Sequence, residues 1–534
     1  MPDGKGGERI TDYEKQPWKI HEGEPTRKRS KTRMAAKTLN KRNVGLVLGP
    51  LLFLTIVLIP EPQSMVDAAA ALGSPEKAPQ IALGTLLWVL IWWVTECVPL
   101  GIAALVPPVI FAMSMPDKLT WKTLLGAFTD PIIWIFMAGF VLAAAFRKWD
   151  LDRRIAIRLG SIYKGHNPMV AALFVAAIPV FILTLTGSIT ASTAVVFPFL
   201  IAYLSMANVK PGGKYSEACM LVLAQAATAG AMLLLISTPP NLIAKSTAAA
   251  YDYDITFLDW LVIGTPHAIA GLLITWFVVF KVVRPEEKTI AADRSKMTAV
   301  AKQLGRMSRG EKAVAALLVM AVSLWMFPSI VKVLASYNSG LVDLSTTLSK
   351  IMPEAMPAVL VIIFAGLIRI KGEPLLKWDE IAKGIDWNVV FLFGGGIALG
   401  LGLEASGFAH WIAGGVSDAL GENPGIWAIY AVSCLLGFAL TYAASNTAAA
   451  LITCPIAASL AIGAGVSPIA PIVGAALACS ISSAIPSTTP PMAIVYSSGY
   501  VKIWTMFKVG IVSDLMRVGV LILIGLPLIT FVYD

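Results

Sequence analysis

The stretch TYAASNTAAALITCP, residues 441–455, sets three consecutive polar residues, Ser445, Asn446 and Thr447, inside a long apolar run. A second stretch far upstream, TLTGSITASTAVVFP at 184–198, echoes it with Ser188, Ile189 and Thr190. In each, a proline follows eight residues after the last of the three, at Pro198 and Pro455. A polar break at mid-membrane depth is tolerated where it lines a cavity or an ion site. Serine, threonine and asparagine also bind transmembrane helices to one another. Both readings fit a single cluster, and two clusters in corresponding positions favour a binding site.

The surrounding composition makes mid-membrane depth the right frame. Of 534 residues, 57% are hydrophobic and 14% charged, against roughly 25% charged in a soluble domain. The chain is therefore read as an all-α, polytopic integral membrane protein. The net charge of +9 sits in runs next to hydrophobic spans, as topology signals do, and not in a nucleic-acid patch. The five cysteines lack metal-like spacing and read as packing residues. His21, His166, His267 and His410 are scattered, with no HExxH pair, so the chain is not read as an enzyme. The first forty residues are polar and charged, with no cleavable signal peptide.

Residues 1–42 form a basic, disordered tail ending in TRKRSKTRMAAKTLNKR. The positive-inside rule puts it in the cytoplasm, and an anionic-lipid or nucleic-acid patch is the other reading. Residues 43–78 hold a first span and a loop. Spans follow at about 80–98 and 101–114. Glu96, at the end of WWVTE, reads either as an intramembrane carboxylate or as an interfacial one. The segment 129–154 has only sixteen apolar residues, Pro131 to Phe146, and suits a re-entrant hairpin. The basic segment 284–312 is a cytoplasmic linker. Beyond it come a span at 313–333, a partly polar loop at 334–354 and a span at 355–370.

The earlier features then recur. IDWNVVFLFGGGIALGLGLEASGFAHWIA matches the first hairpin in pattern, placing Ala413 257 residues beyond Ala156. Ser445 is also 257 beyond Ser188, and Thr489-Pro490-Pro491 lies 251 beyond Thr238-Pro239-Pro240. Three matched features in one order mark an internal duplication, 79–283 and 313–534. With five spans per repeat and one in front, the repeats insert in opposite directions. That gives about eleven transmembrane helices and two re-entrant hairpins, the N-terminus inside and the C-terminus outside. Inverted repeats around broken helices are a secondary-transporter architecture.

The chemistry of the breaks agrees. A helix restarting after a break offers unpaired N–H groups and a positive dipole end to an anion. The preceding helix end exposes carbonyls, which with hydroxyl and amide oxygens are hard ligands for sodium. Paired prolines lack N–H groups and hold the loop open. No Arg or Lys is found in the middle of a span beside these motifs, so the cradle is read as neutral.

The paired SNT-like and TPP motifs, WWVTECVP and the late SSGY (497–500) resemble the divalent anion:sodium symporter family over about 80–534. That resemblance implies a carrier of dicarboxylates, citrate or sulfate in the cell membrane. It also implies a homodimer, each protomer moving a transport domain against a scaffold as an elevator. It assigns substrate contacts to Ser188, Thr190, Thr238, Pro239, Ser445, Asn446, Thr447, Thr489 and Pro490. It assigns sodium to Thr441, Ala444, Asn446 and Thr488, several through backbone carbonyls, with a weaker first site at Thr184, Ser188, Ile189 and Ser237. Three residues depart from the family pattern: Ile189 replaces Asn, Ser237 replaces Gly, and Met492 replaces Asn. The expected function is sodium-coupled uptake of divalent anions, C4-dicarboxylates first. A sodium-independent dicarboxylate exchanger or a sulfate carrier is the alternative.

Overall fold

A computed structural model describes residues 28–290, 302–412, 415 and 424–533, with side chains from residue 42 onward. Residues 1–27 of the expected tail, 291–301 of the linker and Ala413 lie outside the described residues. Lys41 ends one unit of the chain, and Arg42–Asp534 is a second, larger unit that holds every candidate site residue.

The described chain is almost wholly helical. In the first half run α1 (Lys28–Leu58), α2 (Gln63–Ala71), α3 (Ala78–Thr95), α4 (Leu100–Ala103), α5 (Val106–Ser114), α6 (Trp121–Gly126), α7 (Pro131–Lys148), α8 (Leu151–Gly160), α9 (Pro168–Ala172), α10 (Ile178–Leu183), α11 (Ile189–Met206), α12 (Lys214–Gly230), α13 (Pro239–Ala249) and α14 (Phe257–Val283). The second half runs α15 (Arg309–Tyr337), α16 (Val342–Ile351), α17 (Ala355–Leu367), α18 (Trp378–Gly384), α19 (Trp387–Ala405), α20 (Ile426–Ala443), α21 (Asn446–Gly463), α22 (Ile469–Cys479), α23 (Pro490–Ser497) and α24 (Ile503–Tyr533). A two-stranded antiparallel turn, β1 (Arg369–Ile370) with β2 (Glu373–Pro374), separates α17 from α18. Ten described helical segments are long and apolar enough to cross a membrane, or up to twelve if each of two bent pairs is one span. The expected eleven falls within that range.

Local chemistry explains the breaks. α1 and α2 meet at 86° at Pro60 and Pro62, which lack N–H groups and push their predecessors out of helical geometry. Glu96 follows α3 at a positive φ of 48° and is exposed, the interfacial alternative of the two. The segment expected as a polar loop at 334–354 instead contains the amphipathic α16. Leu344, Leu348 and Ile351 recur at helical spacing, Asp343 lies in its first turn and Lys350 in its last.

The two expected hairpins are not where the apolar lengths put them. Asp130 caps α7 through its carboxylate, which accepts from the Ile132 N–H at 2.8 Å, and Pro131 opens the helix at a position that needs no N–H. The helix then runs eighteen residues without reversing. In α19 the small-residue centre serves packing and not a turn. A Cβ on Gly394, Gly395 or Gly402 would strike Phe128, Ala104 or Phe111 respectively. The helix reversals lie at the polar clusters themselves, between α10 and α11 and between α20 and α21.

At the centre stand α12 and α22. Every residue of α22 is buried, the burial expected of a helix largely apolar on all faces, and so is every residue of α12 from Tyr215 on, its Ser216, Glu217, Gln225 and Thr228 included. α15, α20 and α24 turn Phe327, Leu334, Leu435 and Leu523 outward, a surface suited to lipid. On one face Arg154 of α8 pairs with Glu311 of α15 and donates to the carbonyls of Leu304 and Gly305 at 2.8 and 3.0 Å. On another, Lys245 of α13 bridges Asp254 at 2.7 Å and Glu354 at 2.9 Å. Burial opposes ionisation of Asp254, but Lys245 outweighs it and holds that carboxyl below the usual carboxylate range.

Removing one member of a buried pair strands the other. Arg154→Met or Glu311→Leu alone is expected to cost about 3–5 kcal/mol, and the double replacement less than either. Thermal unfolding of the detergent-solubilised protein checks this through the order of the midpoints.

Candidate functional site

α20 and α21 are joined by Ala444 and Ser445 alone, and the two helices lie against each other, so the chain turns back there. Both linking residues are extended, with ψ of 172° and 154°. Ser445 caps α21, its Oγ accepting from the Ala448 N–H at 3.3 Å. Helix geometry leaves the N–H groups of Asn446 and Thr447 without intrahelical acceptors. Ser445 and Thr447 are half-buried and Asn446 is buried.

The Asn446 side chain is held from two directions. Its Oδ1 accepts from Thr441 Oγ1 at 2.8 Å and from Ser482 Oγ at 3.2 Å. Thr441 Oγ1 also lies 2.6 Å from the Cys479 carbonyl oxygen and 3.4 Å from Ser482 Oγ. One hydroxyl proton cannot serve three oxygens. Four oxygens therefore crowd one buried spot with two protons among them, a donor set that suits a small hard cation. Ala444, on the tip, and Thr488, whose Oγ1 donates to the Ile485 carbonyl at 2.8 Å, belong to the two segments that carry this cluster. Thr489 starts α23 without a side-chain cap. Its Oγ1 and the Ser480 Oγ are buried with no hydrogen-bond partner among the described residues. Pro490 is exposed, and with Pro491 it removes two N–H groups from that helix start.

The first half repeats the plan with fewer oxygens. A π-turn (Leu173–Ala177) and a 3-10 turn (Thr184–Thr186) interrupt the descending arm before Gly187 and Ser188 turn the chain into α11. Ser188 Oγ accepts from the Ala191 N–H at 3.1 Å. Thr184 stands where Thr441 stands in the second half, and donates to the Gly230 carbonyl at 2.9 Å or that of Phe181 at 2.6 Å. Ile189 takes the place of Asn446, so no amide oxygen enters. Ser188, Ile189 and Pro239 are half-buried, Thr190 is exposed, and Ser237 and Thr238 are buried. Ser237 Oγ is occupied by the Leu234 N–H at 3.2 Å. Asn241 donates to the carbonyls of Ala231 and Leu234, both at 2.8 Å.

The halves interlock. α13 packs on α21 and α22, and α23 packs on α11 and α12. The cavity of about 280 Å³ beside Lys245, Trp325 and Glu354 contains none of the candidate residues. Glu404 and Tyr251 line another, also apart from them.

One expectation fails. A charged pair does stand in mid-span beside the motifs, Asp514 and Arg517 of α24, both buried. Asp514 accepts from Tyr442 Oη and the Ser483 N–H, each at 2.6 Å, and from Ser483 Oγ at 2.9 Å. Arg517 Nη1 lies 3.5 Å from Asp514 Oδ1 and donates to Thr228 Oγ1 at 3.0 Å. The signal was present as opposite charges three apart in an otherwise apolar helix, where they share a face.

The chain matches the family described as Sodium:sulfate symporter transmembrane region over residues 40–531. It is 29% identical over 491 residues to the sodium-dependent dicarboxylate transporter SdcS of Staphylococcus saprophyticus, covering 90% of each chain. The SdcS of Staphylococcus aureus strain USA300 gives the same identity and coverage. Among solved structures, Neisseria gonorrhoeae MtrF, of a class of antimetabolite efflux pumps, shares the fold. Its TM-score is 0.52 at 14% identity, over 81% of this chain and 96% of that one.

The first tip carries a measurable constraint. Gly187 has φ +88°, and a Cβ there would stand 3.3 Å from both Gly139 Cα and the Ile236 carbonyl oxygen. Gly212 has φ +71° in open space. Gly212→Ala should therefore cost only the left-handed backbone penalty, about 1–2 kcal/mol. Gly187→Ala should lower the unfolding midpoint further, and equal midpoints would show that the tip is loose.

Proposed function

This chain belongs to the sodium:sulfate symporter family and is a multi-pass membrane transporter, and we propose that it carries divalent anions, C4-dicarboxylates first, together with sodium. The observation that carries the reading is the crowding of Thr441, Asn446, Cys479 and Ser482 oxygens at the α20–α21 tip. The SdcS relatives, sodium-dependent dicarboxylate transporters by name, point the same way.

Asn446 Oδ1 and neighbouring oxygens, with the Ala444 carbonyl and Thr488, would hold sodium. The capped start of α21 would face the anion, where Ser445 and Thr447 hydroxyls and the free N–H groups donate to carboxylate oxygens. The unpartnered Thr489 hydroxyl beside Pro490 is a further donor. Ser188, Thr190, Thr238 and Pro239 form the first-half side of the same cradle. Sodium bound next to the anion offsets its charge in a site of low dielectric, so each favours the other. At Thr184, Ser188, Ile189 and Ser237 the missing amide oxygen makes a weaker cation site. That loss favours, as a second reading, a sodium-independent exchanger.

The inverted repeats 79–283 and 313–534, the homodimer and the elevator movement belong to this proposal. So does the orientation, cytoplasmic N-terminus and outer C-terminus, which rests on the basic run 26–42 at the start of α1 and the basic segment before α15.

Uptake of labelled succinate into liposomes carrying the purified protein tests the reading, with malate, fumarate, citrate and sulfate as competitors. An inward sodium gradient is expected to drive uptake, and dicarboxylates to compete best. Trans-stimulation by internal succinate without sodium would instead favour the exchanger. Asn446→Ala is expected to elute from size exclusion as the wild type does while losing at least about tenfold in uptake, the lower end of the range for residues around a metal site. Wild-type uptake by this variant overturns the site.

A further inference from the structure

A charge in the middle of a membrane span is costly and points to function. Ion pairs buried in a protein also seldom improve on apolar packing. The Asp514–Arg517 pair lies eleven and fourteen residues into the 31-residue α24, and what it touches is specific. The carboxylate takes three hydrogen bonds, all from Tyr442 and Ser483. These are the chain neighbours of Thr441 and Ser482, the two residues whose hydroxyls meet on Asn446 Oδ1. One carboxylate therefore pins both segments that build the oxygen cluster. The helix comes close to do so: a Cβ on Gly510 would collide with the Ser483–Ala484 backbone. Arg517 extends the tie to α12, donating to the Thr228 hydroxyl and, at 3.2 Å, its carbonyl. Thr228 is two residues before Gly230, whose carbonyl receives Thr184.

We propose that Asp514 is a positioning residue for the second-half cation site, and that Arg517 holds it in place and links that site to the first half. Asp514 does not itself ligate the cation, because its oxygens are already occupied by Tyr442, Ser483 and Arg517. Its work is to set the distance between Thr441 and Ser482, and with it the fit of the cluster to one ion. The inference rests on the proposed sodium coupling.

The test uses the full-length protein in liposomes. It compares the sodium concentration for half-maximal succinate uptake with the succinate KM at saturating sodium. Sodium-induced thermal stabilisation without substrate is a second readout. Asp514→Asn is expected to raise the half-saturating sodium about 10–100-fold, the range for partners that orient metal ligands, while moving the succinate KM by less than about twofold. Tyr442→Phe and Ser483→Ala each remove one hydroxyl from the carboxylate and should raise the sodium requirement by smaller factors. They carry the test if Asp514→Asn does not fold. Equal loss in both parameters, or an unchanged sodium requirement in Asp514→Asn or in both hydroxyl variants, overturns the proposal. Wild-type uptake indifferent to sodium defeats the coupling itself. Sodium-dependent wild type with unshifted variants defeats only the positioning role.

Discussion

Two hydroxyls, from Thr441 and Ser482, converge on the single amide oxygen of Asn446, and the second half of the bundle is arranged around that meeting. α20 must end at Ala443 and α21 must start at Asn446 for Thr441 to reach across the tip. α22 must end at Cys479 so that its last carbonyl and the Ser480–Ser483 turn enter from the side. Backbone that leaves helical geometry inside a bilayer survives only where protein or a lined cavity satisfies it. The serine cap, the proline pair and the Asp514 carboxylate divide that task here. The tip is thus a place where exposed donors and acceptors are kept apart from lipid yet not fully spent on each other.

Much of this was legible in the residues, and the reasons for what was not are physical. Ser-x-Thr beside a downstream proline, repeated at a fixed offset, located both tips to the residue. It did not show whether the helix continues or turns back. An interrupted helix and a hairpin need the same capped restart, and only the packing of α20 on α21 tells them apart. Apolar length misdirected the hairpins to Pro131–Phe146 and its later counterpart. There Asp130 and Pro131 are a helix start, and the glycines of α19 admit Ala104 and Phe111. No Arg or Lys was expected in mid-span beside the motifs, yet Arg517 is buried there. Its partner three residues earlier, on the same helix face, is what makes burial tolerable.

The two halves share a plan but not an inventory. Thr184 and Thr441 occupy matching positions, and the hydroxyl of each lies within hydrogen-bond reach of the last carbonyl of a buried helix, α12 or α22. Ile189 stands at the first tip where Asn446 stands at the second. An isoleucine can neither accept from Thr184 nor offer an oxygen to an ion, so Thr184 spends its proton on Phe181 or Gly230. The halves are held together elsewhere, by α13 on α21, α23 on α11 and Arg517 on Thr228. On the proposed reading, this pair of unequal sites in one interlocked bundle would give the chain one strong cation position and a cradle with one less polar wall.

On the proposed reading, the Asn446 cluster and the α21 start hold the transported ions. A cryo-electron microscopy map of the detergent- or nanodisc-embedded protein with saturating sodium and succinate tests it most directly. A cation is expected among Asn446 Oδ1, the Ala444 carbonyl and the Thr441 and Ser482 hydroxyls. A two-carboxylate anion is expected between Thr447 and Thr489, and neither in a map without both solutes. Succinate density in the cavity beside Lys245 and Glu354, with the Asn446 cluster empty, contradicts it.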